Sequence, residues 1–123
     1  MYARLLLVDN RTIFRQALHA ALESREGVMV EGESGGGPDA IAQARELQPD
    51  VILIDVHTAG SDVAVLTTRL RQEAPWSRIL LLTAGAADST LIYDAVRAGA
   101  RGCVSEESCI DDVVEAIRLV ALG

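Results

Sequence analysis

Three short runs in the chain contain no polar residue: Leu5-Leu6-Leu7-Val8, Val51-Ile52-Leu53-Ile54 and Ile79-Leu80-Leu81-Leu82. Each stops at a polar side chain, Asp9, Asp55 or Thr83. Runs this short do not make a helix, and they lack the alternation of a half-covered strand. They read as strands buried on both faces, the kind found in the middle of a parallel sheet. Parallel neighbours cannot be joined by tight hairpins; they need right-handed crossovers, which lay helices over both faces of the sheet.

The intervening sequence supplies those helices. Ile13, Phe14, Ala17, Leu18, Ala21 and Leu22 recur at helical spacing and predict a helix from about Thr12 to Ser24. Ile41, Ala44 and Leu47 predict a second, ending at Pro49, after a Ser34-Gly35-Gly36-Gly37-Pro38 loop. Val63, Val65, Leu66 and Leu70 predict a third, and Leu91, Ile92, Ala95 and Val96 a fourth ending at Gly99. The last, around Ile110, Val113, Val114, Ile117 and Val120, has the cleanest apolar stripe. Two weaker strands complete the pattern. Val28, Val30 and Gly32 alternate with Met29, Glu31 and Glu33, as on an edge strand covered on one side, and Gly102–Val104 forms a short final strand. Five β–α units in a row define an open, doubly wound α/β fold in one domain spanning residues 1–123.

Composition narrows the function. The net charge of -7 argues against this domain binding nucleic acid itself, because a phosphate backbone is held by Lys and Arg. No apolar run approaches the roughly 20 residues that span a bilayer, and the apolar stretch at the N-terminus is too short for a secretory signal. A cytoplasmic protein is expected, with Cys103 and Cys109 as reduced, buried or half-buried thiols. His57 and His19 are expected to be solvent-facing and boundary residues. The three-glycine loop has no Lys-Ser/Thr sequel and is not a nucleotide phosphate loop.

In open α/β sheets ligands gather outside the carboxyl ends of the strands, where the strand order switches direction. Asp9-Asn10, Asp55, Thr83 and Ser105-Glu106 occupy those ends. The motifs Leu-Leu-Val-Asp9, Phe14-Arg15 with Ala17-Leu18, Pro49-Asp50-Val51-Ile52-Leu53-Ile54-Asp55, Ile79-Leu80-Leu81-Leu82-Thr83-Ala84 and Ala98-Gly99-Ala100-Arg101-Gly102 stand in order along the chain. Together they resemble a response-regulator receiver domain of the NarL/FixJ type, over residue 3 to the end. The resemblance implies a flavodoxin-like sheet of strand order 2-1-3-4-5 with five helices. It implies a non-enzymatic signalling domain phosphorylated by a partner histidine kinase, dimerising, and acting on DNA through a helix-turn-helix output domain.

Carried over by position, the resemblance makes Asp55 the phosphoacceptor and Thr83 the hydroxyl that grips the phosphoryl group. Asp9, Asn10, Asp55 and, weakly, the backbone carbonyl of His57 would hold Mg²⁺. The chain departs from the family pattern at several of these positions. Asn10 brings no charge where an acid is usual, Cys103 stands at the aromatic switch position, and Thr58-Ala59 replaces Met-Pro. Most consequential is Glu106 at the position of the phosphoryl-binding Lys. Like charges about 4 Å apart repel by roughly 4 kcal/mol at an effective dielectric of about 20. Mg²⁺ binding and phosphotransfer are therefore expected to be weakened, and a carboxylate pKa in the site to be raised. Arg11, next to Asn10, is a candidate to reach into the pocket and restore a positive charge. The alternatives are a conventional receiver phosphorylated on Asp55 and, from another class, a flavodoxin-like cofactor protein. The paucity of aromatics argues against the last.

Overall fold

The computed structural model describes residues 2–58 and 62–123; Ala59, part of the Met-Pro replacement, lies outside the described residues. Five parallel strands, β1 (Ala3–Val8), β2 (Val28–Ser34), β3 (Val51–Asp55), β4 (Arg78–Thr83) and β5 (Gly102–Ser105), form one sheet in the order β2-β1-β3-β4-β5. The helices are α1 (Thr12–Glu23), α2 (Gly37–Leu47), α3 (Val63–Glu73), α4 (Ser89–Ala98) and α5 (Ile110–Leu122), with a 3₁₀ turn at Ala86–Asp88 before α4. Element order and topology are those expected.

Alternation along each central strand divides the core into two layers. Leu6, Val8, Ile52, Ile54, Ile79 and Leu81 face α2, α3 and α4. Leu5, Leu7, Val51, Leu53, Leu80 and Leu82 face α1 and α5. Every residue of β3 is buried, as its unbroken apolar run requires. Fully burying each Leu, Ile or Val there contributes about 1.5–3 kcal/mol.

The edge strand differs from its sequence pattern. The register runs Leu5↔Val30 and then Leu6↔Gly32, so Glu31 is a bulge with no partner. The bulge inverts the facing of the residues after it. Val28 and Val30 pack in the α1/α5 layer, whereas Gly32 lies under α2. A Cβ on Gly32 would come within 2.5 Å of Gln43 and 2.9 Å of Leu47. The glycine loop is also shorter than expected, because Gly37 and Pro38 already belong to the first turn of α2. Proline is tolerated there since its missing N–H has no helical partner to lose.

Several apolar residues assigned to buried stripes face outward. Ile13 is 84% exposed, and Val65 and Val96 are exposed as well. A helix meets the sheet along a strip narrower than these apolar stripes, so the flank of each stripe is left in water. Both cysteines are free and exposed, not buried as expected. Cys103 lies on the second edge strand, and Cys109 precedes α5.

Candidate functional site

The strand order places the switch point between β1 and β3. Val8 pairs with Ile54, so Asp9 and Asp55 emerge side by side at the carboxyl edge. Both are buried. Two carboxylates in one partly dry pocket require a cation or a proton.

Arg11 supplies the cation. Its backbone N–H and Nε donate to Asp9 Oδ1 (2.8 and 3.2 Å), and Nη2 donates to Asp9 Oδ2 (2.9 Å). The same Nη2 lies 3.8 Å from Asp55 Oδ1, and Nη1 lies 3.0 Å from Glu106 Oε2. Below it, the guanidinium carbon sits 4.0 Å from the centre of the Phe14 ring, a cation–π contact that fixes the side chain from the helix side. One guanidinium thus bridges the ends of β1, β3 and β5. Its own pKa is driven up, above all by the Asp9 hydrogen bonds, so it stays charged throughout the working range. The expected clash between Glu106 and Asp55 is answered by this group lying between them. Arg15 steadies the same edge by donating to the Asp9 carbonyl (2.7 Å) and to Glu33 (2.8 Å). Glu33 also accepts from His19, which packs at this α1–β2 boundary as expected.

Asp55 takes the backbone N–H of His57, and the Thr58 hydroxyl is 3.5 Å from its Oδ2. Burial, and then the charge of Asp9, push its carboxyl above the usual carboxylate range, with Arg11 and the His57 amide pulling the other way. Folded chains therefore keep this proton at a pH where unfolded chains have lost it. The stabilisation belongs to the acid side and is lost as the pH rises through the folded pKa. Asp55→Asn, which resembles the protonated group, should melt a few degrees higher than the natural chain at neutral pH, with the gap closing in acid. Equal melting curves at both pH values would count against this assignment.

The remaining residues are placed less as expected. The Thr83 hydroxyl donates to the Val104 carbonyl of β5 (3.5 Å) rather than to Asp55. Asn10 is exposed on the rim, its backbone N–H donating to the Thr58 hydroxyl. Cys103 lies exposed on the edge strand. His57 faces solvent from its loop, as expected, and its Nε2 also contacts Asp88 Oδ1 at 2.6 Å. Asp88 is buried and accepts the Ala84 N–H with its other oxygen (2.7 Å). It ties the loop after β3 to the loop after β4. Sequence reasoning missed it because it follows no strand end and belongs to no motif.

These donors do not suit a magnesium ion as they stand. Mg²⁺ demands near-octahedral oxygen ligands. Both Asp9 oxygens are committed to a guanidinium, Asn10 lies on the rim, and no cluster of three or more acidic, His or Cys side chains among the described residues is arranged around a metal position.

The comparisons with known proteins agree with this fold. The family model of the response regulator receiver domain matches residues 5–118. The chain therefore belongs to the response regulator receiver domains, the signal-receiving parts of two-component regulators. It is 30% identical over 123 residues to the response regulator protein VraR of Staphylococcus aureus and spans 58% of that protein's length. The signal receiver domain of a NarL response regulator from Mycobacterium tuberculosis superposes with a TM-score of 0.88 at 29% identity, covering 99% of this chain and 98% of that one. A LuxR-family two-component response regulator from Aurantimonas gives 0.88 at 31%, covering 100% and 87%. Domains of this family typically bind Mg²⁺ at their phosphorylation site and are not generally enzymes. No helix among the described residues is long and apolar enough to cross a membrane.

Proposed function

We propose that this receiver controls a DNA-binding transcriptional output domain, as NarL-type regulators do, and that its Mg²⁺-dependent phosphotransfer is impaired. Asp55 is the phosphoacceptor position, with Thr83 and Glu106 flanking it, and Asp9 and Asn10 occupy the metal side. The observation that carries the reading is Arg11, bound at once to Asp9 and Glu106 and close to Asp55. A divalent ion entering the pocket must displace a guanidinium that three carboxylates already hold. A phosphoryl group added to Asp55 would bring further negative charge beside Glu106 with no Lys to meet it. In this reading signalling rests on contacts with a partner histidine kinase, or on homodimerisation in the cytoplasm, more than on a stable acyl phosphate. The -7 charge leaves DNA contact to the output domain.

The test is direct. The protein is incubated with acetyl phosphate and Mg²⁺ and its intact mass is measured. The expected result is no phosphate adduct in the natural chain. An adduct that disappears in Asp55→Ala would overturn the impaired reading in favour of a conventional phosphorylated receiver.

A further inference from the structure

At the opposite edge of the sheet, beneath the amino ends of β4 and β5, lies a cleft of about 180 Å³ lined by Arg71, Arg78 and Arg101 together with Trp76. It shares no residue with the Asp55 site. Three arginines meeting in one cleft is unexpected in a chain of net charge -7. None of the three forms an ion pair with a carboxylate among the described residues. Glu73, two residues from Arg71, pairs instead with Arg45 (2.9 Å).

Each guanidinium is held by the backbone or left free. Arg71 Nη1 donates to the Ala98 carbonyl at the end of α4 (3.1 Å). The side chain lies against Gly99, where φ is +120° and a Cβ would fall 2.3 Å from that nitrogen. Only glycine permits the close approach. Arg78 Nη1 reaches the Ala121 carbonyl (3.5 Å), and its buried Nε has no hydrogen-bond partner among the described residues. Arg101 is exposed, its backbone anchored to Ile79. Trp76, the only tryptophan, is 88% exposed beside them.

We infer that this cleft is a binding site for a phosphorylated aromatic small molecule of the nucleotide class, its phosphate held by Arg71 and Arg101 and its ring stacked on Trp76. Guanidinium forks match phosphate oxygens in shape and charge, and an indole face stacks planar rings. The cleft is too small to track a nucleic-acid backbone, and the chain's net charge of -7 disfavours a polyanion.

Trp76 is its own reporter. The full chain is titrated with AMP, adenosine, inorganic phosphate and duplex DNA, followed by tryptophan fluorescence and by calorimetry. AMP is expected to give a saturable change at lower concentration than adenosine or inorganic phosphate. Arg101→Gln, at an exposed position and expected to leave the circular dichroism spectrum unchanged, should weaken AMP about tenfold. By calorimetry, Trp76→Leu should weaken AMP and leave inorganic phosphate unchanged. The proposal is overturned if AMP gives no saturable response, if Arg101→Gln binds it as the natural chain does, if adenosine or inorganic phosphate binds as tightly as AMP, or if only duplex DNA binds.

Discussion

Arg11→Ala should raise the affinity of the domain for Mg²⁺ by about a hundredfold or more. Unit charges about 4 Å apart interact by roughly 4 kcal/mol at an effective dielectric of about 20. Removing a guanidinium that sits 2.9 Å from one buried carboxylate and 3.8 Å from another therefore frees more than enough to account for two decades. Without metal the same variant should lose about 2–3 kcal/mol of stability. Among the described residues the side chain of Asp9, fully buried, then keeps only the backbone N–H of residue 11 (2.8 Å). The cost sits below that of breaking a wholly buried pair because the Arg11 side chain is 40% exposed. The two effects are linked. Saturating the variant with Mg²⁺ at about a hundred times its Kd should return roughly 2.7 kcal/mol, whereas the natural chain should barely respond. Calorimetry and melting curves at graded MgCl₂ measure both. Unchanged Mg²⁺ affinity in Arg11→Ala would show that the guanidinium is not the occupant that matters.

Asp9→Asn attacks the same contact from the other side. An amide offers one acceptor oxygen and no charge, so the fork that Arg11 makes on Asp9 is lost. The expected cost is again about 2–3 kcal/mol. The more specific consequence concerns Asp55. Asp9 is the second cause, after burial, of the raised Asp55 pKa. Removing that charge should move the Asp55 titration toward lower pH, the more so because Arg11 is then left to Asp55 and Glu106. Carboxyl carbon chemical shifts followed against pH report this directly. An Asp55 titration that stays in place, or moves up, would mean that burial alone sets it.

How far the site was legible depends on how local each signal is. Asp9, Asp55 and Thr83 were readable because each ends an unbroken apolar run, and parallel strands bring their carboxyl ends to one edge. Arg11 was readable as a candidate because it follows Asp9 by two residues. Its grip on Glu106, ninety-five positions away, exists only once β5 takes its place at the sheet edge. Asp88 could not be read at all, since its role comes from His57 approaching across a loop. The arginine cleft was equally hidden, because Arg71, Arg78 and Arg101 belong to three different elements. Trp76 stands with them, at the edge opposite Asp55. At Ile13 and Gly32, periodicity misled. Helical spacing marks a face without saying how wide its contact is, and one bulged residue reverses a strand's alternation.

By itself the sequence determined the five strand–helix units, the layering of the core and the convergence of acids on one edge, because hydrophobic periodicity and strand geometry are local properties of the chain. Only the tertiary structure decided which cation those acids hold. Charge pairing in a half-dry pocket depends on distances of a few ångströms between residues far apart in sequence, and those distances come into being when the sheet assembles.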